Sequence, residues 1–234
     1  MDNKKKGYNL RVLFITLWPA QPKSDAVAPA EIAGLPPGLA AMPDVAVSVV
    51  ALRPMLPWPG NAYAVAPTTE AHLTHGGHVA MATHIIRWPV WVQRGSPDKH
   101  KIWPSAGFAF PFAADRLVNI LHAQICDIMI AVDMQFTGYV AYRLREITGV
   151  PYVVVQSDSA ELTPKPRSSA CDARLTAIAR DAEFVLGLSA NAQAIARRYP
   201  GCRFRDFDHG DSRTDKFIEL LREAVRQSES PFDW

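Results

Sequence analysis

Polar side chains follow three apolar stretches of this chain, at points where we predict strands to end. Asp133, the segment Gln156 to Ser159, and Ser189 each close such a run. Near-continuous apolar strands are typical of parallel sheets buried on both faces, and ligands of these sheets bind at the carboxyl ends of the strands. Carboxylate, carboxamide and hydroxyl groups at one edge could hydrogen-bond a hydroxyl-rich ligand. Turns and helix caps account for the same residue types, so that structural interpretation stays open.

A glycine-rich phosphate loop is one alternative, and its pattern is missing from the chain. There is no Gly-x-Gly-x-x-Gly or Gly-x-x-x-x-Gly-Lys-Ser motif, and the segment from Trp18 to Pro29 contains no glycine. Both motifs use glycine to bring backbone amides close to phosphate. We therefore disfavour a nucleotide at the first loop, and with it a nucleotide-dependent oxidoreductase.

A metal site is a second alternative, raised by four histidines within 13 residues: His72, His75, His78 and His84. Two glycines separate the second from the third, and Glu70 is the nearest carboxylate. Metal ligands need converging geometry and an oriented second shell of partners. We therefore interpret this stretch as a polar loop and predict no metal.

Nucleophilic catalysis has little support in the motifs. The Gly-x-Ser-x-Gly elbow is absent, and after Ser157 and Ser159 no histidine occurs before His209. A serine nucleophile needs a base within hydrogen-bond reach. The polar segment after Val155 is therefore interpreted as a binding rim rather than a nucleophile site.

Alternating strand-like and helix-like segments are the elements that would position this rim. Apolar runs predict strands over residues 11–17, 44–52, 85–88, 126–132, 150–155, 184–189 and 203–207. Helical spacing predicts helices over 30–42, 111–124, 136–148, 191–199 and 214–227, with one more between 159 and 184. Pro36 and Pro37 are expected to interrupt the first helix, Gly149 to close the third, and Thr214 to cap the last. The segment 54–69 is expected to be irregular. The repetition predicts an α/β fold, a single Rossmann-like parallel sheet with helices on both faces.

Composition places the chain among ordinary globular proteins. It has 234 residues, 48% hydrophobic and 21% charged, with a net charge of +2 that gives no argument for nucleic acid. Three cysteines are too few and too scattered for a disulfide framework, which fits a reducing cytoplasm. No stretch approaches the ~20 apolar residues of a membrane span. We expect a cytoplasmic protein that is soluble or at most peripheral to a membrane.

Aromatic residues cluster in the segment Phe108 to Phe112 and in Trp-Pro pairs at Trp18, Trp58, Trp88 and Trp103. Packing beneath long loops is one interpretation. The other is an exposed patch that docks on the inner face of a membrane or on a lipid-linked acceptor.

Several segments occur in an order that is known from one enzyme family. They are 11–15, 40–50, the run Gly149 to Asp158, the run Asp181 to Ser189, and the run His209 to Phe217. The third resembles a "G-x-P-strand-H-x-x-D" segment, the fourth an "A-D-x-V-strand-S" segment, and the fifth an "N-G-V-D-x-x-x-F" linker. Together they resemble the N-terminal, acceptor-side domain of a GT-B glycosyltransferase of the retaining family 4 type.

The resemblance implies a division of the chain and a set of site residues. Residues 1–10 would be a basic tail, 11–208 the Rossmann-like acceptor domain, and 209–234 a linker and C-terminal helix. By the same resemblance, the second, donor-binding domain is expected to be absent from the chain. The acceptor-binding candidates are Trp18, Gln21, Glu31, Phe110, Asp133, Gln156, Ser157, Asp158 and Ser189. The donor-contact candidates are His209, Gly210 and Asp211.

Two departures from the family pattern bear on activity. The first loop lacks the family's glycine pair, and Gln156 stands where the family has its active-site histidine. A glutamine can hydrogen-bond a sugar hydroxyl, but it cannot act as a titrating group.

The resemblance implies transfer of a hexose from a nucleotide-sugar to a glycan, a lipid-linked acceptor or a small molecule. No cofactor and no nucleic acid partner are implied. The donor domain would be supplied in cis or in trans, and the isolated chain is expected to be inactive because transfer needs both substrates held in register. The alternative hypothesis is a non-catalytic binding or interaction domain derived from the same fold.

Overall fold

The computed structural model of the chain describes residues 10–17, 35–55, 67–73, 80–89, 118, 126–132, 134, 136–156, 169–187, 199, 201–206 and 213–229. The strands with described bounds are β1 Leu10–Leu17, β2 Val45–Met55, β3 Pro67–Leu73, β4 Ala80–Pro89, β5 Ile128–Val132, β6 Tyr152–Gln156, β7 Val185–Gly187 and β8 Phe204–Asp206. The helices with described bounds are α1 Leu35–Ala40, α2 Phe136–Thr148, α3 Ser169–Asp181 and α4 Arg213–Glu229.

The strands form one sheet in the order β3-β4-β2-β1-β5-β6-β7-β8. All neighbouring pairs from β4 to β8 are parallel, whereas β3 pairs antiparallel with β4 at the edge. The predicted α/β class and Rossmann-like parallel sheet are therefore confirmed. The antiparallel edge strand is an addition to that prediction.

Helices cover both faces of the sheet, and strand alternation divides the core between them. In β6, Tyr152 and Val154 lie in one apolar cluster, while Val153 and Val155 lie in the other. The first cluster includes residues of α2 and α3, and the second includes residues of α1 and α4. Because successive side chains of a strand point to opposite faces, an all-apolar strand must be covered on both sides.

Helix α2 has the predicted limits, and its end shows why Gly149 follows it. Gly149 has a φ of 73°, in the left-handed region where a side chain is strained. Its amide donates to the carbonyl of Arg145 at 2.8 Å, which satisfies one of the free carbonyls at the helix end.

The predicted interruption of the first helix by prolines stays a prediction. Pro36 and Pro37 lie in the first turn of α1, which begins at Leu35. Amides of a first turn have no acceptor within the helix, so proline loses nothing there. Residues 30–34 of the predicted helix lie outside the described residues.

The segment predicted to be irregular ends in a strand. β2 continues to Met55, and β3 begins at Pro67 and pairs with β4. His72 and His84 consequently lie on paired strands, not in the polar loop that we predicted. His75 and His78 lie outside the described residues.

The last helix begins at Arg213, so the predicted cap Thr214 lies within its first turn. A methyl group placed on Gly38 of α1 would lie 3.4 Å from the Thr214 hydroxyl oxygen, so the two helices are in close contact. Phe217 and Leu221 of α4 are fully buried in the cluster shared with α1.

Within the predicted helix 111–124, Val118 is described as helical and buried. Of the predicted helix 191–199, Tyr199 alone is described.

Candidate functional site

The candidate site is the edge of the sheet where the parallel strands end, and Gln156 is the predicted site residue that the structure describes there. It is the last residue of β6. The other predicted residues lie outside the described part of the chain: Trp18, Gln21, Glu31, Phe110, Asp133, Ser157, Asp158, Ser189, His209, Gly210 and Asp211. Their placement stays a prediction.

The carboxamide of Gln156 is buried and bonded to the backbone of the neighbouring strand's turn. Its Oε1 accepts a hydrogen bond of 3.1 Å from the amide of Met134, and the residue is 2% exposed. Alternation along β6 places Gln156 on the same face as Tyr152 and Val154, which is the face that α2 covers. The face on which Gln156 lies could have been predicted from strand alternation in the sequence, but its hydrogen-bond partner could not.

A second hydrogen bond secures the same turn from the other side. Thr137, in the first turn of α2, donates through Oγ1 to the carbonyl of Val132 at 2.5 Å and is fully buried. The bond joins the end of β5 to the start of α2. Sequence reasoning missed Thr137 because a polar residue in a first helical turn is too common to signal a role, and it missed Met134 because only the backbone amide of that residue takes part.

Three residues form a row along the edge. In the strand register Gln156 lies beside Gly187, and Gly187 lies beside Asp206, the last residue of β8. Neighbouring strands are about 4.8 Å apart, so the backbones of Gln156 and Asp206 are about 10 Å apart. The sequence predicted the short strand but did not single out Asp206.

Gln156 and Thr137 bring hydrogen-bonding groups to this edge but no titrating group. Both are uncharged at every physiological pH, and their hydrogen bonds reach the Met134 amide and the Val132 carbonyl. Hydrogen bonding is therefore the chemistry available to these two buried side chains, while Asp206 is the acidic residue at the end of β8 on this edge. A proton-transfer role would need a group of another kind.

The opposite edge, where the strands begin, carries the described ion pairs. Arg11 pairs with Asp127 across β1 and β5. Glu183, with its side chain 5% exposed, pairs with Arg145 at 2.8 Å and with Arg203 at 3.3 Å. These pairs join the beginnings of strands to helix ends and loops, so they stabilise the sheet away from the candidate edge.

Two cysteines also lie near the beginnings of strands, and burial makes both poor nucleophiles. It raises the pKa of the Cys126 thiol to about 11, with the Asp127 charge adding to the shift. Burial likewise raises the pKa of Cys202 to about 11. A thiol of such high pKa carries little thiolate at neutral pH.

The described residues contain neither a metal-ligand group nor a membrane span. No group of three or more His, Cys, Asp or Glu side chains there could hold a metal ion. None of the helices in the described ranges is long and apolar enough to cross a membrane.

The sequence matches no family model and no curated protein. Solved structures do resemble the fold. Sucrose-phosphate synthase from Thermosynechococcus elongatus aligns with a TM-score of 0.53 and 14% identity, over 92% of this chain and 98% of that chain. A UDP-N-acetylglucosamine 2-epimerase aligns at a TM-score of 0.45 and 10% identity, over 82% of this chain and 45% of that chain, which is too weak to support an argument.

The similarity to sucrose-phosphate synthase concerns the fold. That protein is a GT-B glycosyltransferase, and the alignment includes nearly all of both chains. The chain therefore has a GT-B-like, Rossmann-like α/β fold. At 14% identity the alignment does not transfer substrates or site residues.

Proposed function

We propose that this chain is the acceptor-binding domain of a nucleotide-sugar-dependent hexosyltransferase of the family 4 type, which transfers sugar only together with a donor-binding domain. The observation that carries the proposal is the combination of a GT-B-like fold with polar groups at the carboxyl edge of its parallel sheet. Ligands of open α/β sheets bind outside that edge.

The chemistry of the edge suits a carbohydrate acceptor. Sugar hydroxyls both donate and accept, so carboxamide, hydroxyl and carboxylate groups can each bind them in a defined orientation. We place the acceptor against the carboxyl ends of β5, β6 and β7, with Trp18, Gln21, Glu31, Phe110, Asp133, Ser157, Asp158 and Ser189 as its proposed contacts. His209, Gly210 and Asp211 are the proposed contacts to the donor.

The proposal predicts that the isolated chain binds the acceptor but does not catalyse sugar transfer. Group transfer requires the donor anomeric carbon and the acceptor hydroxyl to be held in a near-attack arrangement, which contributes several kcal/mol of the barrier reduction. One domain holding one substrate cannot supply that arrangement. The donor domain would come from the same polypeptide or from a separate chain.

A non-catalytic carbohydrate-binding or interaction domain is the second candidate. The observation in its favour is Gln156, which is buried, does not titrate and is bonded to the backbone. Transfer activity on adding a donor domain separates the two candidates, because the first gains activity and the second does not.

Amide chemical shifts of the ¹⁵N-labelled chain test the binding site directly. We would titrate with glucose, galactose, mannose, N-acetylglucosamine, sucrose and fructose 6-phosphate. The proposal predicts shifts at the amides of Met134, Gln156 and Gly187, with none at Arg11 or Glu183 on the opposite edge. Shifts confined to the opposite edge, or none with any probe, would overturn it.

A transfer assay with UDP-glucose or UDP-N-acetylglucosamine and the same probes tests whether transfer needs a separate donor-binding domain. The chain alone should produce no glycoside above the uncatalysed control. Robust transfer by the isolated chain would show that the donor site is already within these 234 residues.

A further inference from the structure

We infer that Gln156 is a positioning residue, whose buried carboxamide clamps the turn from β5 into α2 and so keeps the proposed acceptor edge in one shape across the neutral and mildly acidic range. The carbohydrate part of this inference rests on the proposed function. The clamp itself stands on the geometry of the described residues.

The hydrogen bond between Gln156 and Met134 lies where a backbone carbonyl would accept if the strand pairing continued. The register of β5 with β6 ends at the pair Val132 and Val155, one residue before Gln156. Beyond that pair, Gln156 Oε1 accepts the Met134 amide at 3.1 Å, as a strand carbonyl would. The side chain thus extends the connection between the two strands by one hydrogen bond, into the turn that leads to α2.

Burial makes this hydrogen bond costly to lose. Gln156 is 2% exposed and Met134 is fully buried, so water has little access to a Met134 amide that has lost its acceptor. A buried donor without a partner costs more than a hydrogen bond contributes when it forms. Thr137 holds the other side of the turn through the Val132 carbonyl, so the turn is fixed at two points.

The carboxamide is suited to a clamp that does not respond to pH. It accepts hydrogen bonds at every pH, whereas an imidazole nitrogen accepts only when the ring is neutral. The residues that the strand register and this hydrogen bond place beside it are Val155 in β6, Gly187 in β7 and Met134 in the turn, and none of these three titrates. Asp206 is the nearest acidic position in the register, one strand beyond Gly187.

Hydrogen exchange at the Met134 amide in the 234-residue chain tests the clamp. Gln156→Leu removes the acceptor, and we expect a protection factor about tenfold lower at Met134. Gln156→Glu retains an oxygen acceptor in either protonation state, so it should restore protection to within about threefold of the wild type. Thr137→Val is the matched control: it removes the second bond but keeps the acceptor of the Met134 amide, so Met134 should lose clearly less protection than in Gln156→Leu.

Gln156→His turns the same test into a pH profile. A neutral imidazole can accept the Met134 amide, but a protonated one cannot, and an unperturbed histidine titrates near pH ~6.5. We expect protection of Met134 at pH 8 and at least about a tenfold lower protection factor at pH 5.5, after correction for intrinsic exchange. The wild-type protection factor should be the same at both values. An unchanged Met134 amide in Gln156→Leu, or an equal pH response in the wild type, would refute the clamp.

Carbohydrate affinity provides the readout that a purely structural role would not follow. With the sugar that binds the wild type best, Gln156→Leu should bind at least about fivefold more weakly and Gln156→Glu should recover, while Thr137→Val serves for comparison. Gln156→His should bind at pH 8 and lose affinity at pH 5.5. If exchange behaves as expected but every variant binds equally, Gln156 does not position the site. If the wild type binds none of the sugars, the proposed function fails while the exchange result still decides the clamp.

Discussion

Arg11 and Asp127 hold each other through both side chain and backbone across the beginnings of β1 and β5. The Arg11 amide donates to Asp127 Oδ2 at 2.7 Å, and the Asp127 amide donates to the Arg11 carbonyl at 2.8 Å. The guanidinium closes the pair at 2.5 Å from Asp127 Oδ1. The pair aligns the central strand of the sheet with its neighbour, at the edge opposite the candidate site.

This pair makes a small, pH-dependent contribution to stability. Burial works to raise the pKa of Asp127, but the hydrogen bonds and charge of Arg11 outweigh it and hold the pKa below its ordinary value. The stabilisation is therefore present above the unfolded-state pKa of about 3.9 and is lost as pH falls through the folded-state value. Asp127→Asn should cost about 0.5–1 kcal/mol at pH 7, because the Arg11 side chain is 46% exposed.

Urea unfolding between pH 7 and pH 2.5 measures this difference. The gap between wild type and Asp127→Asn should narrow below about pH 4, where Asp127 of the unfolded wild type becomes protonated, and close as pH falls through the lower folded-state pKa. Glu146→Gln, which breaks the exposed pair with Arg143, is the control and should change the free energy by about 0.5 kcal/mol or less. A gap that stays constant to pH 2.5 would contradict the assignment.

Neutralising Glu183 should lower the free energy of unfolding more than neutralising Asp127 does, because the Glu183 side chain is only 5% exposed and pairs with two arginines. Removing one partner of a buried pair leaves the other charges poorly compensated. We expect Glu183→Gln to lower the free energy of unfolding by about 2 kcal/mol, less than for a fully buried pair because Arg145 and Arg203 retain some solvent. Asp181→Asn breaks a longer 3.6 Å contact to Arg145 at a more exposed carboxylate. It should cost about 0.5 kcal/mol, and equal losses would show that burial is not the cause.

Two glycine-to-alanine substitutions should have opposite effects. At Gly149 the added methyl meets no atom within 4 Å, but the φ of 73° strains any side chain, so we expect a loss of about 1 kcal/mol. Gly38 lies within α1 with no positive φ, and its methyl would be at ordinary contact distance from Thr214. Alanine there should stabilise by about 0.5–1 kcal/mol through its helix propensity. Thermal unfolding compares the two, and a stabilising Gly149→Ala would contradict the left-handed helix end.

Helix α4 should be an integral part of the domain. Phe217 is fully buried against the sheet face that α1 also covers, so Phe217→Ala should cost about 3–5 kcal/mol in urea unfolding. The exposed Glu219→Ala, two residues away, should change stability by about 0.5 kcal/mol or less. A cost below about 1 kcal/mol for Phe217→Ala would mean that α4 is a loosely attached linker.

Much of the fold could be predicted because buried parallel strands have a strong sequence pattern. The run at β5 is apolar at every position, β6 is apolar up to its last residue, Gln156, and α2 between them has a helical period that ends at a glycine. The edge strand β3 escaped prediction because its sequence, PTTEAHL, has no continuous apolar run. A strand at the end of a sheet has one neighbour and less need for such residues.

The place of the prolines within α1 could not be predicted from the sequence, for a local reason. Their effect depends on where the helix begins, and a start at Leu35 places them in the first turn. The pattern of apolar residues does not set that boundary. It follows from how Leu35 and Leu39 pack on the sheet.

The sequence by itself determined the α/β class, the order of the main strands and helices, and the edge at which Gln156 lies, because apolar periodicity and strand direction are local properties. The tertiary structure alone decided what Gln156 does there. Its partner is a backbone amide 22 positions earlier, and all backbone amides are alike in the sequence. The packing of β5 against β6 selects Met134 from among them and turns a candidate ligand contact into the clamp of the turn.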